Sequence, residues 1–418
     1  MKRLCIYSCL VVCSGPACLG PRCPAAQLQT RRSAAIHTSI RCIVGHLGYE
    51  PNVVELLLAR LEDWSGVRPS DLEGYASRLE GVRSDQDESV MASQEWTTVG
   101  AILRSITIRL VAEADQFSLV GALTTGRHNC LCVTQIFYIL GTSVGLHVIP
   151  IEVLEFKGPG PLPPGATHVS CMVELADGTT VMLNAMPRYG LSRPFVLDQW
   201  FQEGRQVLRL RSKANPLGLY RRFRILDPNG LAACVINSRG VLLASRGSYL
   251  QATDCYLAAM NLDPHNPQIY NNLGIAYRHL GLLYKAIECY SKAIEIRPEC
   301  VEAYCNRAAA HNLLGHPDEA ITDCNTAIAI CPSFAQAYNN RGNAFARIGR
   351  YQEALADYSK SISLAPRLVQ AYVNRAIVQA MLGRSQAARQ DLAKTARLDP
   401  GIRQKVIAVS KRFALDLR

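Results

Sequence analysis

Two kinds of hydrophobic patterning divide the chain. Residues 50–64, 70–83 and 93–114 carry apolar side chains at helical spacing, for instance Leu72, Tyr75, Leu79 and Val82. Asp85–Glu88 forms an acidic break between the last two of these segments. Residues 130–144 predict a further helix, with Asn129 as its N-cap and Cys130, Thr134, Phe137, Leu140 and Val144 on one stripe. Residues 167–175 and 179–186 alternate with period two instead, so they read as the strands of a hairpin around Ala176-Asp177-Gly178. Beyond residue 233 the pattern acquires a longer period.

In that second half five columns keep one interval of 34 residues. Pro264, Pro298, Pro332, Pro366 and Pro400 form the first; Gly247, Gly281, Gly315, Gly349 and Gly383 form the second. Ala252 to Ala388 is a third column, Tyr270 to Tyr372 a fourth, and Gly240, Gly274, Ala308, Gly342 and Ala376 a fifth. Small residues let two antiparallel helices approach closely, the glycine supplies the turn between them, and proline ends the second helix. Residues 233–402 therefore resemble the tetratricopeptide repeat, a 34-residue helix–turn–helix unit. The resemblance implies a superhelix of five units over residues 231–402, with 403–418 as a capping helix. Cys255, Cys289 and Cys324 fall at second-helix packing positions, where they read as small buried apolar residues.

The resemblance also implies a groove lined by the first helix of each unit. Asn271, Asn272, Arg278, Asn306, Asn339, Asn340, Asn343 and Asn374 fall at groove positions, and Asn272, Asn306, Asn340 and Asn374 make an amide ladder. Side-chain amides offer donors and acceptors together, which suits the backbone of an extended peptide. A protein or extended-peptide partner is the expectation. The lysines of a carboxylate clamp for chaperone tails are missing.

The hairpin's register follows from its faces. A two-residue Asp-Gly loop would mix polar and apolar side chains on both faces. A three-residue loop with Gly178 left-handed sets Leu175 opposite Thr179 and Ser170 opposite Asn184. Val169, Cys171, Val173, Leu175, Val181, Leu183 and Ala185 then share one apolar face, with His168 and Asn184 as diagonal neighbours on the other. A helix-start cysteine, a strand histidine and an asparagine on the next strand are similar in order to the transglutaminase-like, papain-related superfamily. The matches are Asn-Cys-Leu-x-x-Thr-x-x-Phe-Tyr-x-Leu from 129 to 140 and the His168…Asp177-Gly178…Asn184 set. The resemblance implies an α+β domain over 95–200, with Cys130 as nucleophile, His168 as general base and acid and Asn184 orienting the imidazole. Its chemistry would be acyl transfer at an amide. Asn184 departs from the superfamily's usual aspartate.

Composition narrows the remaining possibilities. With 49% apolar and 19% charged residues the chain is not wholly disordered, and no run of 18 apolar residues marks a polytopic membrane protein. The sixteen cysteines include no CxxC pair and no zinc-spaced Cys/His quartet, so no metal and no small-molecule cofactor is expected. A net charge of +11 permits acidic partners. Seven basic and no acidic residues lie between 205 and 224, read as part of a solvated connector over 201–230. No reading helix or stacking platform accompanies them, which disfavours nucleic acid. Lys2 and Arg3 before the apolar stretch from Leu4 to Cys13, then Ala25-Ala26, have the layout of a secretory signal over 1–26, followed by a helical region over 27–94. Export to the periplasm or a membrane surface is the expectation, with a cytoplasmic chain whose start codon is misassigned as the alternative. The function expected is a protein-interaction scaffold; the alternative is a cysteine-dependent amide hydrolase or acyltransferase whose repeats recruit substrate.

Overall fold

The computed structural model describes residues 36–45, 47, 50–65, 68–83, 87–107, 111–112, 127–128, 130–156, 168–184, 190–191, 201–203, 207–210 and 220–413. Its first helices are α1 (residues 36–45), α2 (Asn52–Ser65), α3 (Pro69–Arg83) and α4 (Glu88–Thr107). The periodic segments at 50–64 and 70–83 are helices as expected. The third begins five residues earlier than the apolar pattern, because the acidic break is its start signal. Asp87 accepts from Ser89 N at 2.9 Å and Val90 N at 3.3 Å, filling two of the orphan donors of the first turn. The Ser89 side-chain bond, then these backbone bonds, hold the Asp87 carboxyl below its ordinary value. The helix also ends earlier than 114. Val111–Ala112 (β1) pairs in parallel with Arg127–His128 (β2).

Helix α5 (Cys130–Ser143) is apolar all round rather than along one stripe: Val133, Ile136, Phe137, Ile139 and Leu140 are all buried. It lies on a seven-stranded antiparallel sheet whose strands are β3 (His147–Phe156), β4 (His168–Glu174), β5 (Thr180–Asn184), β6 (Gly190–Leu191), β7 (Phe201–Glu203), β8 (Val207–Leu210) and β9 (Tyr220–Ile225). Their spatial order is β6-β5-β4-β3-β9-β8-β7. The hairpin adopts the three-residue loop: Met172 faces Met182, Glu174 faces Thr180, Leu175 N donates to Thr179 O, and Gly178 has φ +75°. The helix seals the predicted apolar face, where Thr134 Oγ1 donates to Val169 O at 2.9 Å. The opposite face is buried as well, since Ser170, Met172 and Met182 are at most 1% exposed.

The described parts of the segment from 205 to 224, residues 207–210 and 220–224, are strands of the sheet and not a solvated connector. Strand β9 lies inside the sheet between β3 and β8, so its backbone is bonded on both sides. The basic residue Arg224 is buried there, because two carboxylates meet it. Its Nε and Nη2 donate to Glu152 Oε2 at 3.1 and 2.8 Å, while Nη1 and Nη2 donate to Asp263 at 3.0 and 2.6 Å. Only Leu226 and Asp227 separate β9 from the next helix. Leu226 N donates to Pro150 O, and Asp227 caps that helix by accepting from Gly230 N at 2.7 Å.

One apolar core runs from Ile36 through α5 and the sheet to Val235. Helix α4 continues across residue 95, and this core holds residues on both sides of 200 and of 230. The transglutaminase-like character expected of this region is not shown by it. The described architecture is helices packed on a small sheet, followed by an all-helical superhelix.

That superhelix consists of five helix pairs, each a helix A followed by a helix B. They are Pro228–Ser245 with Tyr249–Leu262, Pro267–His279 with Leu283–Ile296, and Val301–Leu314 with Pro317–Ile330. Ala335–Arg347 with Tyr351–Leu364 and Val369–Met381 with Ser385–Leu398 complete the array, and Arg403–Arg412 follows. The five turn glycines all have φ between +72° and +83°, a conformation L side chains rarely adopt.

The small-residue column is matched to its partner 16 residues on. At Gly274 an added Cβ would come within 2.5 Å of the Tyr290 ring, and Gly240 and Gly342 stand in the same relation to Tyr256 and Tyr358. Where the column holds Ala308 the partner shrinks to Cys324, and where it holds Ala376 the partner is Leu392. A larger residue in the column is thus met by a smaller one opposite it, as steric exclusion in a close-packed interior requires.

Candidate functional site

Helices A of successive units pack against one another, and no comparable contact joins successive helices B. The array therefore curves with helices A on its inner face, which forms the candidate groove. The asparagines expected to line it are largely engaged across unit boundaries. Asn272 Nδ2 donates to Asn237 Oδ1 at 3.0 Å, Asn306 Nδ2 to Asn271 Oδ1 at 2.9 Å, and Asn374 Nδ2 to Asn339 Oδ1 at 3.0 Å. Each bond spans 35 residues, from one unit to the preceding one. Where Cys305 replaces asparagine, Asn340 Nδ2 takes the Cys305 carbonyl at 2.9 Å instead. Asn271, Asn272 and Asn339 are buried. The amide ladder thus holds the curvature of the groove before it addresses any ligand. Asn343 accepts from both Tyr358 Oη at 2.9 Å and Asn374 Nδ2 at 2.8 Å. Arg278 stands apart, half-exposed, with its charge acting on the buried Tyr290 phenol.

A second ladder joins helices A and B. Arg307 grips Asp323 with two bonds of 2.9 and 2.7 Å, and its Nη1 reaches back to Ser291 of the preceding unit at 2.9 Å. Arg341 repeats this with Asp357 and Asn325, and Arg375 with Asp391 and Ser359. Tyr304, Tyr338 and Tyr372 lie under the three guanidinium groups at 5.6, 5.6 and 5.9 Å. Two-pronged arginine–carboxylate geometry fixes orientation as well as energy. The sequence reading passed over this set. Its signal was present as two further 34-residue columns, arginine and aspartate, spaced 16 apart.

The proposed Cys–His–Asn set is placed by backbone only. Cys130 is the first residue of α5, His168 the first of β4 and Asn184 the last of β5. Their side chains lie outside the described residues, as do residues 1–26 and the loop 157–165. Helix α5 packs against the strand positions 169, 171 and 173, whereas 168 and 184 belong by register to the alternate set. Within that set Ser170, Met172 and Met182 are buried and Glu174 is exposed, and Ser170 Oγ donates to Leu183 O at 2.6 Å.

Comparison with known families settles the second half. The family described as tetratricopeptide repeat matches residues 267–300, 301–334 and 335–368, and one described as TPR repeat matches 240–281. Residues 240–368 are tetratricopeptide repeats. No curated protein sequence matches the chain. Among solved structures, a thermophilic tetratricopeptide repeat protein of Thermus thermophilus is 21% identical, with 44% of this chain covering 97% of that one at a TM-score of 0.40. A MamA fragment from Desulfovibrio magneticus is 19% identical, with coverages of 40% and 94% and a TM-score of 0.35. YrrB, titled a tetratricopeptide repeat protein with an unusual peptide-binding site, is 20% identical, with coverages of 43% and 92% and a TM-score of 0.33. Among the described residues no helix is long and apolar enough to cross a membrane.

Proposed function

We propose that this chain is a protein-interaction scaffold whose tetratricopeptide repeats hold a peptide or protein partner along helices A, with the N-terminal helices and sheet as a fixed base. The observation that carries this reading is the construction of the inner face. Inter-repeat amide bonds and the arginine–aspartate ladder make it rigid, and a preformed surface binds an extended peptide with less ordering cost. Attachment of the base through a buried Arg224–Glu152–Asp263 cluster supports the same reading, since it sets the first repeat relative to the sheet.

The test is selection of displayed random peptides against the intact chain. Ala309→Arg serves as a plug, because Ala309 sits half-buried on helix A of the third repeat, at the position that Asn343 holds in the fourth. Peptides that bind the wild type and lose most of their affinity on the plugged variant support the groove. Peptides that bind both equally remove it.

A further inference from the structure

The two edges of the array differ in what they expose. Helices A and B of each unit are antiparallel and successive units stack, so the five A-to-B turns line one edge and the B-to-A turns the other. The sheet holds the second of these edges. Asp263, at the end of the first helix B, shares Arg224 with Glu152 of β3, and Arg297, at the end of the second, lies in the field of Glu152. The A-to-B edge therefore points away from the base.

Exposed apolar side chains collect on that free edge. Among the described residues nine large apolar side chains are exposed, and six of them stand within three residues of a turn glycine. Leu250, Tyr284, Leu313 and Met381 are 71%, 67%, 56% and 51% exposed, and Leu282 and Ile348 accompany them. Beside the B-to-A turns the same set contains Ile330 alone. None of the six joins a core cluster of the repeats, so folding does not call for them. One exposed leucine is ordinary, whereas six on one edge against one on the other mark a surface with a use.

Charge is sorted in the same way. Within two residues of the five turn glycines the chain has four arginines, Arg246, Arg347, Arg350 and Arg384, all exposed, and no acid. Within two residues of the five prolines at the other edge it has two arginines and three acids, Asp263, Glu299 and Asp399. The acids nearest the free edge, Asp318, Glu319 and Glu353, stand three or four residues beyond their glycines, and Glu353 is engaged by Arg350. We propose that this edge rests on a bilayer surface containing anionic lipid, with the apolar tips entering the boundary between headgroups and acyl chains and the arginines meeting lipid phosphates. A fluid surface accepts tips that stand one or two to a turn, whereas a protein partner would need them joined into one apolar patch. The contact uses the ends of the helices and leaves the inner face of helices A open, so it does not depend on the peptide groove.

The experiment is flotation of the intact chain with vesicles of phosphatidylcholine alone and of equal parts phosphatidylcholine and phosphatidylglycerol. The wild type should float with the mixed vesicles and far less with phosphatidylcholine. Leu250→Ser, Tyr284→Ser, Leu313→Ser and Met381→Ser combined should weaken that binding by about tenfold or more, at least the worth of one leucine removed from water. Arg246→Gln, Arg347→Gln and Arg384→Gln should each weaken it about fivefold, as expected of one cation near an anionic surface. All these side chains are exposed, so each variant should melt with the wild type, which thermal unfolding checks. Ile330→Ser with Arg367→Gln on the opposite edge, and Ala309→Arg in the groove, should leave flotation unchanged. Equal flotation of the serine variant and the wild type would overturn the proposal and assign lipid binding to another part of the chain. Equal flotation with both kinds of vesicle would overturn it as well, since the arginines would then be idle. No flotation with either removes the bilayer and leaves the edge to a protein partner.

Discussion

The first two repeats and the last three share a backbone but hold their charges differently. In repeats three to five each helix A sends an arginine to an aspartate on helix B of its own unit and to the previous unit. In repeat two the same positions are Leu273 and Cys289, and in repeat one Arg239 faces Cys255, so no such bond forms. The buried charges at that end serve the junction instead. Asp263, at the end of the first repeat, joins Glu152 around Arg224, and Arg297 of the second repeat lies in the field of Glu152. Identical folds thus use ionic bonds to stiffen the array at one end and to anchor it to the sheet at the other. Repeat identity does not dictate which bonds a given repeat makes.

The largest break in this comparison is Arg224→Met. It leaves Glu152 and Asp263 buried without their cation, a loss of about 3–5 kcal/mol. Hydrogen exchange should show the change concentrated in β9 and the first repeat, with repeats four and five unaffected. A loss spread evenly along the chain would mean that the junction is not a separate station.

Within the ladder, Arg341→Met should cost about 2–3 kcal/mol by stripping Asp357 of two charge-assisted bonds, measured by denaturant unfolding. The reverse transplant sharpens the contrast. Leu273→Arg alone places an unpaired cation in a buried site and should destabilise, while Leu273→Arg with Cys289→Asp should recover most of the loss if geometry is interchangeable between repeats.

Packing gives the next effect. Gly274→Ala should cost about 1–3 kcal/mol by pressing a methyl group onto Tyr290. Gly274→Ala with Tyr290→Cys reproduces the Ala308–Cys324 pair and should restore part of the stability, a coupling that independent sites would not show.

Acid provides the smallest contrast. Burial, and then Arg278, lowers the pKa of His279 below its ordinary 6.5, and burial chiefly lowers that of His311. For His311 the charges of Asp323 and Glu319 act against that of Arg307 and His316. Both rings are favoured neutral in the fold, so the unfolded chain binds protons first. Their contribution is complete above 6.5 and is lost as pH falls through 6.5 towards the lower folded values. Exchange protection should weaken with acid in repeats two and three, and His279→Gln with His311→Gln should flatten that response. Repeats four and five, which contain no histidine, provide the internal reference.

The groove was legible in the sequence as a position, less so as chemistry. Asn272, Asn306, Asn340 and Asn374 stand where the repeat pattern puts them, but their amides bond the neighbouring unit because successive helices A lie closer than spacing alone reveals. Arg278 was visible as a groove residue.

The sequence by itself determined what is local and periodic. The 34-residue columns set the helix pairs and left-handed turns, and two-residue alternation set the hairpin register down to Leu175 opposite Thr179. Only the tertiary structure decided what depends on residues far apart in the chain. Arg224 reads as solvated among its basic neighbours, and its burial rests on Glu152, 72 residues earlier, and Asp263, 39 later. A charge is buried or exposed according to the partners that folding brings to it, and that information is not carried by the segment on which it lies.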